Sequence, residues 1–450
     1  MKDRFLHSPP RMIAVSFALV ILLGALILTL PISSRQGVVT PFLNSLFTAT
    51  SATCVTGLVV YDTYLYWSPF GQGVILALIQ IGGLGLVTIT SFFNLMIRRR
   101  LSFRSLALAS ESVNSLDPAG VAGLVKMVFK ISISVEALGA MVLAATFYPL
   151  YGGEGVFLSV FLAVSAYCNA GFDLLGREGA FVSLTHYVDQ PLVILPIVLL
   201  IVVGGLGFLV WSDLAAWRKR RRLLLHSRLV LWMTLALVVG GAGLVVLFEW
   251  ANPRTLGPLS FGGKMLAALF QSVTCRTAGF NSIDLAACTD PTKVVMICLM
   301  MIGAAPGSTG GGLKITTVAV LLATVYSVMR GRQECVVLHK RVPQPVVYKA
   351  LTVMVVGCGA VALSTLVVYF TCGSVSLGGM EALFESASAF STTGLSVGVT
   401  AKAGSAAKTV LILCMYLGRV GPVSLALALA LPKEKDGRFT VLPEGKIQVG

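Results

Sequence analysis

Four times along this chain a long apolar run is followed by a half-length apolar segment, a cluster of small polar residues with one glycine, and a second apolar run. The first long runs lie near 11–31, 121–150, 228–250 and 345–371. The half-length segments lie near 43–53, 156–167, 262–275 and 379–390, and the second runs near 72–97, 190–217, 291–330 and 407–431. About 20 apolar residues at 1.5 Å each cross the ~30 Å hydrocarbon core of a bilayer, whereas about 11 reach only halfway. A segment that short has to enter and return on one face, and its non-helical return is tolerated only where it is buried or lines water. The pattern predicts an all-α integral membrane protein: four helix–pore loop–helix repeats in one chain, with eight transmembrane helices and four re-entrant loops around a central pore. The expected repeats are 1–100, 101–222, 223–335 with a broken second helix, and 336–450 with a short cytoplasmic tail. Each would bury its open face against its neighbours.

The four returns read Thr-Cys-Val-Thr-Gly-Leu (53–58), Tyr-Cys-Asn-Ala-Gly-Phe (167–172), Cys-Arg-Thr-Ala-Gly-Phe (275–280) and Phe-Ser-Thr-Thr-Gly-Leu (390–395). Their glycines are 114, 108 and 115 residues apart. A cation stripped of water needs oxygens in its place, and rings of backbone carbonyls supply them. Glycine lets a return strand turn its carbonyls to one side. The candidate filter is therefore Val55, Thr56, Gly57, Asn169, Ala170, Gly171, Thr277, Ala278, Gly279, Thr392, Thr393 and Gly394. Half-length helices that aim their negative carboxyl ends at the axis would favour a cation over an anion.

The second helices carry small residues near mid-membrane: Gly82-Gly83-Leu84-Gly85, Gly204-Gly205-Leu206-Gly207 and Gly418-Arg419-Val420-Gly421. Such runs allow close packing, and in the first two units packing alone would account for them. The third unit reads Gly303, Ala304, Ala305, Pro306, Gly307, Ser308, Thr309, Gly310, Gly311, Gly312. Gly costs about 1 kcal/mol and Pro about 3 in a helix relative to Ala, so this stretch is expected to be unwound. It reads as a plug across the pore beneath the filter or as a kink between packed helices. Arg419, at the same depth, would repel ions or anchor the plug through its carbonyls.

Only 12% of the 450 residues are charged, far below the ~25% of a soluble domain. The net charge is +15, and its distribution is lopsided. On the topology above, 24 basic residues fall on one side and 8 on the other, a positive-inside bias that puts both termini in the cytoplasm. These clusters favour anionic lipid. No nucleic-acid reader motif accompanies them. Nine cysteines show neither metal spacing nor a disulfide framework. Residues 12–30 read as a first membrane helix rather than a signal peptide.

The remaining charges are fewer. Arg276 sits in the third return and is expected to turn from the axis and pair with Glu385 on the fourth half-length segment. Asp62, Asp173 and Asp284 follow three of the returns, as attractors of cations or as ordinary loop acids. Glu136 lies in an apolar run, as a coupling group or as a satisfied contact between helices. Ser308 could serve a hydrolase only with a base, and His7, His186, His226 and His339 all fall in terminal or loop positions. The chain is not expected to be an enzyme.

At Cys-Arg-Thr-Ala-Gly-Phe (275–280), Ala-Pro-Gly-Ser-Thr-Gly-Gly-Gly-Leu-Lys (305–314) and Ala-Leu-Phe-Glu-Ser-Ala-Ser-Ala-Phe-Ser-Thr-Thr-Gly-Leu (382–395) the chain resembles the Trk/Ktr/HKT superfamily of potassium transporters. The resemblance runs along essentially the whole chain and is strongest to the membrane subunit of bacterial Ktr systems. It implies K⁺ as the transported ion, bound only at the filter, with Na⁺ stimulation known in the family. It implies a multi-pass protein of the bacterial inner membrane and a homodimer with one pore per protomer. It also implies a KtrA-like cytoplasmic ring of RCK proteins that carries the ATP or ADP, with no cofactor in this chain. The family's filter glycines match Gly57, Gly171, Gly279 and Gly394, its gate loop 303–312, and its last-helix arginine Arg419. One glycine per return implies few stacked sites and moderate K⁺ over Na⁺ discrimination. An ion-coupled K⁺ symporter, with Na⁺ or H⁺ as the driving ion, is the alternative.

Overall fold

Each unit of the structure, a computed structural model, opens on a long helix, turns into a short one, and returns through a second helix. Residues 9–85, 88–91, 121–332, 334–338, 340–372, 378–422 and 424–425 are described. The expected extension of the second helix to 97, the boundary at 100/101 and the last helix beyond 425 lie outside them. So do Lys2, Arg4, Arg98, Arg99, Arg100, Arg104, Lys433, Lys435, Arg438, Lys446, His7 and His339.

Unit one has α1 (Pro9–Thr29), α2 (Phe42–Thr53) and α3 (Pro69–Leu84). Unit two has α4 (Val121–Tyr151), α5 (Gly153–Tyr167), α6 (Pro191–Gly205) and α7 (Phe208–Arg220). Unit three has α8 (Leu225–Glu249), α9 (Phe261–Thr274), α10 (Asp290–Ile302) and α11 (Ile315–Met329). Unit four has α12 (Gln344–Thr371), α13 (Gly379–Ser391) and α14 (Ser405–Val420). A two-residue hairpin pairs Val336–Val337 with Lys340–Arg341 between units three and four.

The starts of these helices are written locally. Proline occupies the first turn of α3, α6, α10 and α12, where its missing N–H costs nothing and its fixed φ suits the helix. Ser68 caps α3 by accepting from Gly71 N–H at 3.2 Å, and Ser260 caps α9 through Gly263 N–H at 3.1 Å.

The described residues contain four helices long and apolar enough to cross a membrane, within α1, α4, α8 and α12, and α6 with α7 forms one bent pair. Among the described residues the second helices of the units are not single unbroken spans. The second helix of every unit stops at, or two residues before, a glycine with positive φ: Gly85 (+80°), Gly207 (+88°), Gly303 (+62°) and Gly421 (+89°). The expectation of a break in unit three alone is corrected. α6 and α7, expected as one helix, meet at 93°. Left-handed backbone is open to glycine and costly to other residues, so the small-residue runs turn the chain as well as pack it.

The burial is inverted relative to a soluble protein. Leu19, Leu22, Leu23 and Leu26 of α1 are exposed, while Ala25 and Leu28 face inward. The short helices instead bury polar side chains, among them Thr48, Thr50 and Ser51 on α2 and Ser386, Ser388 and Ser391 on α13. Thr48, Thr50 and Ser391 return their hydroxyl protons to carbonyls of their own helix at 2.6–3.0 Å. At 12 to 15 residues the short helices measure about 18–22 Å, too little to span. Ties run around the molecule in chain order. Phe181 N–H donates to Asp62 between units one and two, and Leu184 N–H to Asn281 O between two and three. Lys293 lies 3.7 Å from Glu381 between three and four. Lys408 donates to Asn44 at 3.0 Å, which closes four onto one.

Lipid tails are as apolar as leucine, so helices in a bilayer associate through close backbone approach rather than through loss of water contact. Gly82, Gly204 and Gly418 show this at equivalent places. A methyl group on any of them would collide with the carbonyl oxygen of Thr53, Tyr167 or Phe390, at the end of the short helix of the same unit. Gly418→Ala should therefore cost about 1–3 kcal/mol and lower the apparent melting temperature in detergent. Gly359→Ala, whose added methyl meets open space on α12, should hold it or raise it slightly. Equal melting of Gly418→Ala and wild type would refute the contact.

Candidate functional site

The chain leaves each short helix by a change of backbone hand. Cys54, Cys168 and Cys275 end α2, α5 and α9 in right-handed geometry. The residues two before each key glycine are left-handed: Val55 (φ 51°), Asn169 (57°), Thr277 (67°) and Thr392 (52°). Gly57, Gly171, Gly279 and Gly394 are left-handed again, at 94°, 71°, 84° and 88°. A strand of one hand points successive carbonyls to opposite sides, and alternating hand brings them toward one side. The short helices hold these segments through matching bonds. Thr56 N–H donates to Ser51 O, Ala170 N–H to Ser165 O, Ala278 N–H to Thr274 O and Thr393 N–H to Ser388 O, at 2.7–2.9 Å.

The structure brings all four glycines together. A methyl on Gly57 would lie 2.6 Å from Ala170 O, one on Gly171 2.7 Å from Ala278 O, and one on Gly279 2.5 Å from Thr393 O. On Gly394 it would collide with Thr56 O. Each glycine thus abuts the carbonyl that precedes the glycine of the next unit, and the fourth closes on the first. Above this ring is a cavity of about 370 Å³, lined by the four glycines together with Asp62, Asp173, Asp284 and Lys402. Asp62 accepts from the N–H groups of Tyr64, Leu65 and Phe181 at 2.9–3.0 Å, so it shapes the rim. Asp173 and Asp284 each cap their own loop, through Leu175 and Ala286 N–H.

Below the ring lies the unwound stretch 303–314. Its backbone is paired with the broken helices on either side. Ala305 N–H donates to Gly205 O at 3.1 Å, Thr309 N–H to Gly204 O at 3.4 Å, and Gly312 N–H to Gly418 O at 3.1 Å. Phe208 N–H returns a bond to Gly307 O at 2.8 Å. The glycines of the loop press on the return segments. Added methyls on Gly310 and Gly311 would run into the hydroxyls of Thr277 and Thr392, and one on Gly312 would lie 2.8 Å from Ser391 Cα. Thr309 Oγ1 donates to Tyr167 O at 3.2 Å and to Asn169 Oδ1 at 3.3 Å. The loop therefore touches three of the four returns.

Arg419 spans the loop and a neighbouring helix. Its Nη1 donates to Thr309 O, and its Nη2 to Gly82 O and, at 3.3 Å, to Gly83 O. Lys314 adds a second cation that sequence reasoning left without a role: its Nζ donates to Gly310 O at 2.7 Å and Gly311 O at 3.3 Å. The signal for it was a lysine flanked by apolar residues at the end of a glycine run. Ser308 Oγ donates to Ala305 O at 2.6 Å, the bond of a turn rather than of a nucleophile.

The expected Arg276–Glu385 pair does not form. Arg276 is buried and reaches away from the filter to Thr234 Oγ1 on α8, at 3.2 Å, and its Nε finds no partner. Glu385 turns the other way. It accepts from Ser396 Oγ at 2.7 Å, from Thr400 N–H at 2.9 Å and from the Thr400 hydroxyl, and so ties the strand after Gly394 to α13. Sequence carried the opposite charges but not their directions.

Comparison with known proteins agrees with this geometry. A family model described as "TrkH: Cation transport protein" matches residues 7–438. The Ktr system potassium uptake protein B of Bacillus subtilis is 38% identical over 444 residues, covering 98% of this chain and 97% of that protein. The potassium/sodium uptake protein NtpJ of Enterococcus hirae is 36% identical, covering 98% and 97%. The crystal structure of the potassium transporter TrkH from Vibrio parahaemolyticus shares the fold, with a TM-score of 0.70 at 18% identity over 96% of this chain and 85% of that one.

A guanidinium that holds carbonyls on two elements fixes the loop more firmly than a point charge can. Arg419→Gln should speed amide hydrogen exchange across 305–312 by about tenfold or more, the loss of one or two charge-assisted bonds. Arg419→Lys should fall between. Unchanged exchange in Arg419→Gln would show that the loop does not depend on this anchor.

Proposed function

Because the chain belongs to the TrkH family of cation transport proteins, we propose that it is the membrane subunit of a potassium uptake system whose four glycine-bearing returns form one cation filter. The observation that carries this reading is the closed succession Gly57–Gly171–Gly279–Gly394, in which each glycine leaves room for the next unit's carbonyl. Thr56 O, Ala170 O, Ala278 O and Thr393 O then stand in for the water shell of K⁺. The carboxyl ends of α2, α5, α9 and α13 converge on the same place and add their negative dipole ends. Three acids against one lysine around the outer cavity favour cation over anion before the filter is reached. K⁺ moves inward down the membrane potential, which supplies about 2.3 kcal/mol per charge per 100 mV.

On this reading the units are repeats at 1–100, 101–222, 223–335 and 336–450, each a helix, a re-entrant loop and a broken second helix. The stretch 303–312, with Arg419 and Lys314, is the gate, closed in the arrangement described. The subunit is a homodimer in the bacterial inner membrane, both termini cytoplasmic, seated on an RCK-type ring that binds the nucleotide. One relative is named for K⁺ uptake and another for K⁺ and Na⁺, and a single carbonyl ring with one glycine per strand accords with moderate discrimination between the two ions. Coupled transport would need a side-chain site on the path. Glu136 is bonded to Gln80 and is not among the residues that line the outer cavity, which favours a channel.

Two measurements in proteoliposomes test this. Gly279→Ser puts a side chain against the Thr393 carbonyl and should lower K⁺ over Na⁺ preference in competition assays by about tenfold. One displaced ligand is worth on the order of 1–2 kcal/mol. Unaltered competition would sink the filter assignment. The second concerns pH. Burial pushes Asp173 up to about 6; the Leu175 N–H pulls the other way and the charge of Asp62 adds to the rise. The folded protein thus keeps this proton longer than the unfolded chain. Its contribution to stability is full below about pH 4 and is lost as pH climbs through about 6, where the charge that attracts cations appears. Uptake at limiting K⁺ should rise between about pH 5 and 7, and Asp173→Asn should flatten that step. A step that survives the substitution would exclude Asp173 as its source.

A further inference from the structure

Glu136 is a carboxylate 5% exposed within α4, and among the described residues no basic side chain forms an ion pair with it. Its two oxygens both accept from Gln80 Nε2, at 3.1 and 3.2 Å. The other end of that amide, Gln80 Oε1, lies 3.8 Å from Cys168 Sγ, and Cys168 Sγ is 4.0 Å from Glu136 Oε1. Cys168 is the residue from which the second filter segment departs. Gln80 sits in the last turns of α3, two and three residues before the glycines whose carbonyls seat Arg419. Gly83 also presses on Cys168, so closely that an added methyl would lie 2.5 Å from its sulfur.

A buried acid in a membrane segment is expensive, and an apolar side chain of like volume would pack the same gap at lower cost. What the acid supplies that an apolar residue cannot is a two-pronged grip on one amide. From these contacts, and resting on the transport reading above, we infer that Glu136 is a positioning residue. Through Gln80 it locks the end of α3 to Cys168, and so couples the second filter strand to the carbonyls that hold Arg419 and the loop. Displacement at the filter is thereby transmitted to the gate anchor along Cys168, Gln80 and Gly82–Gly83, and the reverse.

The test uses the full chain in detergent and in proteoliposomes. Glu136→Gln leaves amide against amide and removes one of the two bonds. Gln80→Glu leaves two carboxylates face to face. The double exchange, Gln80→Glu with Glu136→Gln, restores a carboxylate–amide pair with its ends reversed. Each single variant should speed amide exchange at both 170–171 and 305–312 by about 2- to 10-fold, and the double exchange should return both toward wild type. In vesicles the single variants should raise basal K⁺ flux and lower K⁺ over Na⁺ preference together, normalised to folded protein. A residue with only a packing role would lower the yield of folded protein and leave exchange in the loop and the ion ratio of the remainder unchanged. That result overturns the inference, and so does a double exchange no nearer wild type than the singles. Exchange is read without transport, so wild-type vesicles that pass no K⁺ would sink the transport reading alone.

Discussion

A peptide group without a hydrogen-bond partner in hydrocarbon costs several kcal/mol. Every unusual feature of this chain is an answer to that constraint. On the proposed reading, four carbonyls have to be kept free for an ion, while their neighbours have to be satisfied. The N–H groups of Thr56, Ala170, Ala278 and Thr393 are tied back to the short helices, which holds the segments that carry the four carbonyls in place. The unwound loop solves the same problem differently. It has no helix of its own and borrows the loose ends of others, Gly204, Gly205 and Gly418, whose carbonyls are orphaned because α6 and α14 stop there. A break in one helix is thus what allows the break in another to be buried.

That interdependence explains why some of the design was legible in sequence and some was not. Gly57, Gly171, Gly279 and Gly394 stood out because the same short motif recurs at nearly equal spacing. Gly303–Gly312 stood out because glycine and proline at that density defeat a helix on propensity alone. The breaks at Gly85, Gly207 and Gly421 did not. A few glycines in an apolar helix read equally as packing, and only the approach of another backbone decides. For the nearby Gly82, Gly204 and Gly418, the decisive neighbours are Thr53, Tyr167 and Phe390, which belong to the short helix of the same unit but lie tens of residues away in the chain. Arg419 was conspicuous because a lone guanidinium in an apolar run demands oxygens. Gln80 was not, because a neutral amide there demands little, and its importance comes from the acid it meets 56 residues later.

The four units are alike at the ring of glycines and unlike just beneath it. The left-handed residue before the ring is Val55, Asn169, Thr277 or Thr392. Three of these are polar, and the loop uses all three: Asn169 accepts from Thr309, while Thr277 and Thr392 receive Gly310 and Gly311. Val55 offers no such contact, and the end of its unit's second helix is engaged instead by Arg419, at Gly82 and Gly83. The loop is therefore anchored to units two, three and four directly and to unit one through a side chain.

On the proposed reading the loop is a plug with one side-chain strut, and its contacts differ in kind. The bonds from the loop to α6 and α14 are backbone bonds distributed along its length, and losing them together would expose several peptide groups at once. The Arg419 bonds are made by one flexible side chain and can be exchanged singly for water or for a passing ion's hydration shell. α11 begins immediately after Lys314, with Ile315 N–H on Ala304 O, and leads to the hairpin 336–341 and to α12. On that reading, a pull on α11 acts on Lys314 and Gly310–Gly312 at the unit-four side of the loop and, through the Ile315 bond, on Ala304 at its start.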